Sequence, residues 1–455
     1  MAYRLFAFAV FCLFGTASVL GQSDTLLVKS FGGPNFERAS EVIACNAGGY
    51  AIVGTTGSNE TGNTDVFVAR FDGDLNCMWS KNFGGDDVEW AHSMTEDWSG
   101  NFLVCGYSLS FGAGSYDMYI IKLDADGEVI WQQTFGGVDW DFGEKIIPHP
   151  QGGFLIAGSS YSAGNGGQDG TILHIDGQGV LINQWFVGGA ENDGIHDVVA
   201  VNDGWIACGF QTVDNVMKSA VWRFDVTGSV VWSRLVDDTS GYDRDALALT
   251  MDADFLYLTG PVYADGVTRS FEQQLRLDNG VNYEVVEQES FDVQYFDCTY
   301  YNGELVFLGS KSLSGIELGR VTRKRNDTFF TGAFEFTGQY RTRFLSAIWD
   351  QEALVLCGGY QPDPSENWQA LIVKYTSRNL NEVGVEPELV PCFAVGVEEE
   401  QPIADGVQGH ILTMQGAVVE IDYTWNASNL PTSLAAGMYF FQPKKGSVVK
   451  KFTVH

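Results

Sequence analysis

Positive charge is scarce in this chain. It carries 26 Lys and Arg against 58 Asp and Glu, a formal net charge of −32 over 455 residues. That balance argues against nucleic acid or anionic lipid as a partner. Histidine is scarce too, with six in the whole chain. There is no Cys-x-x-Cys pair and no zinc spacing. A G-x-S-x-G elbow, an H-E-x-x-H helix, a phosphate loop and a dinucleotide fingerprint are all absent. No motif asks for a cofactor. Long segments of 3.6-residue apolar period are missing as well. With 54 glycines and 13% aromatic residues, the composition fits an all-β protein with many turns.

One apolar run stands out, Leu5–Phe14 after Arg4. It falls short of the ~20 residues a membrane span needs. Small residues follow it, with Val19 and Gly21 placed for cleavage before Gln22. Residues 1–21 therefore read as a secretory signal peptide. Nothing after it could span a membrane, so no transmembrane anchor is expected. Of the eight cysteines, Cys12 lies in this leader. Cys105, Cys208 and Cys357 each precede a glycine in the same place of different repeats, where Val53 or Ala157 stands elsewhere. They read as small core hydrophobes with free thiols.

What is abundant is repetition. Phe31-Gly32-Gly33, Phe83-Gly84-Gly85, Phe135-Gly136-Gly137 and Val187-Gly188-Gly189 start at intervals of 52 residues. Within Phe83–Gly137 four apolar runs, around Ala91–Met94, Phe102–Tyr107, Met118–Leu123 and Val129–Trp131, alternate with turn residues such as Ser99-Gly100 and Asp126-Gly127. Four short strands per repeat is the pattern of propeller blades. The second strand of each repeat ends in glycine, at Gly54, Gly106, Gly158, Gly209, Gly260, Gly309 and Gly358, which counts seven repeats. The last repeat supplies three strands, ending at Leu371–Tyr375, and Thr25–Ser30 looks like an isolated fourth. The expected fold is a seven-bladed β-propeller over residues 22–380, closed by its N-terminal strand, so that no open sheet edge remains. The repeats resemble the Gly-rich β-propeller repeats common in secreted proteins of the Bacteroidota, most closely at Gln151–Gly158.

A polar linker, residues 381–390, leads to a terminal module over 391–455. Its end reads as a hairpin, Gly437–Gln442 and Ser447–Val454, which upstream strands His410–Met414 and Ala417–Tyr423 should complete into a small β-sandwich. The end resembles the C-terminal sorting domain of the type IX secretion system. The matching residues are Leu434, Gly437, Met438, Tyr439, Phe440, Gly446, Lys450 and Lys451. The resemblance implies the secretion machinery as a partner, with passage through the periplasm to the cell surface or medium.

Candidate chemistry rests on the repeat. Glu37, Glu89, Asp141 and Asp193 hold the fourth place after each Gly-Gly, and Asp245 continues the 52-residue count, with Asp292 as the sixth member. Either each carboxylate caps the turn of its own blade, or several converge on a channel mouth and bind a cation such as calcium. His92 and His196 differ by two repeat lengths, and the third repeat has Glu144 in their place. They are either a metal or acid–base cluster on the channel wall or a polar inner strand facing water. Asp124-x-Asp126-Gly127 reads as a hairpin turn, not a calcium loop. Acids repeated on every blade favour a non-enzymatic surface or secreted binding protein, with a glycan or protein ligand at the propeller face. The alternative is a polysaccharide hydrolase or lyase, whose mark is a position-specific carboxylate pair.

Overall fold

Each repeat folds into one antiparallel sheet. In the second these are Glu89–Glu96, Phe102–Ser108, Asp117–Leu123 and Val129–Phe135, each paired with the next. The protein is described here as a computed structural model covering residues 26–375, apart from 34, 59–61, 237–240, 265–266, 288–292, 314, 326–330, 336–340, 352, 362 and 364. The strands Glu388–Leu389, Gln408–Thr413, Val418–Thr424, Gly437–Pro443 and Lys450–Val454 are also described. The leader at 1–21 and residues Asp292, Leu434 and Gly446 lie outside the described residues.

Burial follows position in the sheet. The two middle strands are buried almost throughout, as Asp117–Leu123 is, because neighbouring sheets cover both of their faces. The outer strand Val129–Phe135 keeps Val129 and Ile130 exposed. Seven such sheets form a β-propeller ring. Their inner strands are Glu37–Ala44, Glu89–Glu96, Asp141–Pro148, Asp193–Val201, the broken pair Asp243–Arg244 and Ala248–Met251, Val293–Tyr301 and Arg341–Asp350.

The ring closes as expected. Leu26–Phe31 pairs antiparallel with Ala370–Tyr375, from Leu26 opposite Tyr375 to Phe31 opposite Ala370. One core then runs across the junction, with Ile52 and Phe67 of the first blade packed with Phe31, Val355, Cys357 and Ile372 of the seventh. Glu388–Leu389, within the expected linker, lies parallel to Lys29–Ser30 and covers the outer edge of the closed blade.

The strand-ending glycines have a steric reason. Six inner strands carry a bulge, as between Ala39 and Glu41 or Ala91 and Ser93, and the fifth breaks at the same place. The bulge pushes a carbonyl against the neighbouring strand. A Cβ on Gly54, Gly106, Gly158, Gly209, Gly260, Gly309 or Gly358 would lie within 2.1 Å of the oxygen of Arg38, Trp90, Phe142, Gly194, Asp245, Gln294 or Arg343. This contact sets the blades in one frame.

Cys45, Cys105, Cys208, Cys298 and Cys357 are buried free thiols, as read for three of them. Cys77 differs: it is disulfide-bonded. In the terminal module the described strands form one sheet in the order Val418–Thr424, Gln408–Thr413, Gly437–Pro443, Lys450–Val454, with Gly437 opposite Val454 and Phe441 opposite Lys450. Met438, Tyr439, Phe440, Lys450 and Lys451 of the sorting pattern all lie in this last hairpin, as does Gly437.

Candidate functional site

The bulge places three successive layers of inner-strand residues around the axis. The deepest holds the residue just after it: Glu41, Ser93, Lys145, Asp197, Ala248, Asp297 and Ser346. Here four of the blades reach for the backbone of the next. Glu41 accepts from the Met94 N–H at 2.6 Å, Ser93 from Ile146 at 3.1 Å, Asp197 from Leu249 at 2.9 Å and Asp297 from Ala347 at 2.9 Å. Lys145 and Ala248 have no acceptor to offer. The amides they leave, Val198 and Cys298, donate to their own neighbours Asp197 and Asp297 at 2.8 and 2.7 Å. Lys145 instead crosses the axis: its Nζ lies 2.5 Å from Glu41 and 3.8 Å from Asp197. Burial opposes its charge, but Glu41, Asp197 and Asp297 together hold its proton more tightly than usual. Burial pushes the Asp297 carboxyl up to about 7, against the pull of Lys145. The cation at the centre of this acidic channel is the chain's own lysine.

The middle layer is the bulged residue. It brings His92, Glu144 and His196 to consecutive blades. His92 Nδ1 lies 2.7 Å from Glu144, and His196 Nε2 lies 3.0 Å from Asp245. Burial alone would raise Glu144, yet the His92 charge outweighs it and holds the carboxyl at about 2. Burial would lower His196, but Asp245 lifts it to about 9. These side chains keep between 12% and 29% of their surface exposed. The two histidines thus form two separate His–carboxylate pairs. Among the described residues no group of three or more His, Cys, Asp or Glu is arranged to hold a metal ion.

The expected acid ring does not converge. Glu37, Glu89, Asp141 and Asp193 are buried, and each accepts the N–H of the second glycine of its own turn, from Gly33 at 3.0 Å, Gly85 at 2.7 Å, Gly137 at 2.9 Å and Gly189 at 2.5 Å. Burial raises Glu37 and Asp193. They cap the turns of their own blades. Asp245 is not a member of the series at all. The contact between Gly260 and its carbonyl puts it in the frame of Arg38 and Trp90, and Arg244 fills the capping place. The count of 52 residues drifts by one in blade 4, whose first hairpin is a residue shorter than those before it. The Asp-Gly hairpin reading stands: Asp124 accepts from the Asp126 and Glu128 amides at 3.0 and 2.8 Å.

The outermost layer reads Arg38, Trp90, Phe142, Gly194, Asp245, Gln294, Arg343, the residues whose carbonyls touch the strand-ending glycines. Around it the second strands and loops of the early blades add rings. Tyr107 packs on Phe142 at 5.0 Å and on Tyr116 at 5.2 Å, Trp140 on Tyr161 at 5.9 Å, and Phe36 on Trp90 at 6.2 Å. Trp140 is half exposed. The mouth is therefore an aromatic arc over blades 1 to 3, continued by Phe210 beside His196 in blade 4.

No family model matches the chain, and no curated protein matches it. Among solved structures it is similar to the WD40 β-propeller domain of Doa1, at 12% identity and a TM-score of 0.48, over 78% of this chain and 98% of that one. A protein of unknown function from Dyadobacter fermentans DSM 18053 aligns at 11% identity and a TM-score of 0.42, over 78% and 98%. A 6-phosphogluconolactonase, so described with reserve, from Bacteroides uniformis ATCC 8492 aligns at 12% and 0.43, over 74% and 95%. At such values these neighbours carry no argument about ligand or reaction.

Sequence reasoning missed the aromatic mouth and the cross-axis lysine. The signal for the first was the place after each periodic acid, where Arg38, Trp90 and Phe142 succeed one another at 52-residue steps. Lys145 is the one basic residue in the deepest layer, visible only once that layer is aligned.

Proposed function

We propose that the chain is an exported, non-enzymatic binding protein that holds a glycan at the mouth of its propeller. The aromatic arc carries this reading. Partly exposed rings on the inner strands and the loops beside them offer flat apolar faces to sugar C–H groups, and neighbouring rings pack against each of them. A purified full-length chain on a glycan array, run beside a reducing-sugar release assay, tests it. Binding without release is expected; release of reducing ends from a bound glycan overturns it in favour of a hydrolase or lyase. That second reading has its own support in the pairs His92–Glu144 and His196–Asp245, position-specific groups open to the channel.

Export is supported by the sequence of the leader, by the final hairpin that bears the sorting pattern, and by the Cys77 disulfide, which suits an oxidising compartment. No helix among the described residues is long and apolar enough to cross a membrane. Removing 434–455 is expected to leave the protein in the periplasm; secretion of the truncated chain into the medium rules out type IX sorting through this hairpin.

A further inference from the structure

The channel mouth has a second arc, and it is basic. In a chain short of positive charge, Arg343 and Arg38 stand at equivalent places on the seventh and first blades, and exposed Arg341 lies two residues nearer the rim. The aromatic and basic arcs meet at Arg38. Its guanidinium lies over the Trp90 ring, 4.9 Å from the centroid. Its Nε is buried without a hydrogen-bond partner, and among the described residues no carboxylate forms an ion pair with it. Arg343 donates from Nε to Glu317 at 2.7 Å and lies over Phe296, 5.3 Å from that centroid. The Glu317 bond holds the Arg343 fork in place by one side and leaves its two terminal nitrogens. Burial lowers the Arg38 pKa, and the facing charge of Arg343 lowers it further.

Two guanidinium groups on adjacent blades repel, and an anion bound by both removes that repulsion. The fork of a guanidinium carries parallel N–H bonds in one plane, the geometry that takes both oxygens of a carboxylate. The Trp90 face beside them is held by Phe36 and continues into the Tyr107–Phe142 group. We propose that Arg38 and Arg343 form the subsite for the carboxylate of an acidic sugar whose ring stacks against the Trp90 side of the mouth, so that the ligand is a uronate-bearing glycan. This rests on the glycan-binding reading and narrows it.

The full-length chain would be titrated with an oligogalacturonate, with the same oligosaccharide after its carboxyls are reduced to alcohols, with a sulfated galactan fragment and with polyglutamate, at low and high salt. The oligogalacturonate is expected to bind at least about tenfold tighter than its reduced form. Its affinity should fall with salt. Arg38→Gln and Arg343→Gln should each bring its affinity down to that of the reduced sugar, with Arg38→Lys in between, since a lysine keeps the charge and loses the fork. Melting curves check that the variants fold. If Arg38→Gln does not, Arg343→Gln, at a more open position, decides alone.

Equal binding of the acidic and reduced sugars overturns the carboxylate subsite and leaves the glycan reading intact. Preference for the sulfated fragment overturns the carboxylate in favour of a sulfate ester. Binding of polyglutamate in preference to every sugar overturns both and makes the mouth a site for acidic peptide. Binding of none of the four overturns the subsite, while the array result on neutral glycans judges the broader reading separately.

Discussion

Blades 1 to 3 and blades 4 to 6 share one inner scaffold and part company at the rim. In the first group the two middle strands are seven residues each, and the loops between them run over 57–64, 109–116 and 161–168. In the second group the same two strands are ten residues each and turn at once, pairing Val213 with Val216, Ala264 with Val267 and Leu313 with Ile316. Asp214 and Asn215 take this turn with φ of 55° and 62°, the left-handed pair that a two-residue hairpin needs. The repeat length hardly changes, so the same chain makes either a loop or a wall. Three extra residues lift a strand by about 10 Å. The loops do something else. In the second blade Asp117 accepts from the Ala113 amide at 2.8 Å, the Leu109 amide donates to the Val88 carbonyl at 2.8 Å, and Tyr116 is thereby set among the rings of the mouth. A propeller differentiates by its rim because the inner strands are committed to closing the ring.

If both groups depend on the same bulge, the strand-ending glycine should be as intolerant in one as in the other. Gly106→Ala and Gly309→Ala each put a Cβ 1.8 Å from a carbonyl oxygen of the inner strand. Backbone cannot retreat as a side chain can, so each is expected to cost about 3 kcal/mol or more, read as a large fall in Tm. Tolerance of the second with loss of the first would break the shared scaffold.

Lys145 joins the groups, since its partners Glu41 and Asp197 lie in blades 1 and 4. Lys145→Met leaves those carboxylates without a cation at the channel centre. The expected loss is about 2–4 kcal/mol at neutral pH, part of it recovered in acid as the carboxylates protonate. Urea unfolding at two pH values measures it, and a loss independent of pH would mean that packing alone is involved.

One His–carboxylate pair lies in each group, and the two give a pH signature of smaller size. Glu144 is held at about 2 from 4.5, so its contribution is present above pH 4.5 and fades as pH falls through 2. His196 is lifted to about 9 from 6.5, so its contribution is full below pH 6.5 and fades as pH rises through 9. Asp297, raised to about 7 from 3.8, costs increasing stability between those two values. His196→Asn should flatten the decline between pH 6.5 and 9, by about 1–2 kcal/mol once channel water is allowed for. An unchanged alkaline limb would sink that assignment.

The smallest effect on stability should come with the largest on binding. Replacing loop 109–116 by the two-residue turn of blade 4 converts an early blade into a late one. It should shift Tm by only a few degrees, because loop length enters closure entropy weakly. Glycan affinity should fall at least about tenfold as Tyr116 leaves the mouth. Retained affinity would move the ligand off the aromatic arc.

Much of this architecture was legible in the chain because it is local. Alternating and continuous apolar runs set the strands, Asp-Gly and Gly-Gly set the turns, and the orphan strand Leu26–Phe31 announced its partner Ala370–Tyr375. The capping role of Glu37, Glu89, Asp141 and Asp193 was one of two open readings, the one that used only residues within one repeat. What lies across blades was not legible. Asp245 kept the 52-residue count yet left the frame, because the first hairpin of blade 4 is one residue shorter and the bulge, not the count, aligns the blades. Lys145 meets Glu41, 104 residues away, only because the ring brings the first and third bulges to one axis. Arg38 and Arg343, at opposite ends of the propeller sequence, become neighbours only when the last blade is completed by the first strand. Turn and strand chemistry is decided by neighbours in sequence. The composition of the channel and its mouth is decided by closure, which no short stretch of this chain contains.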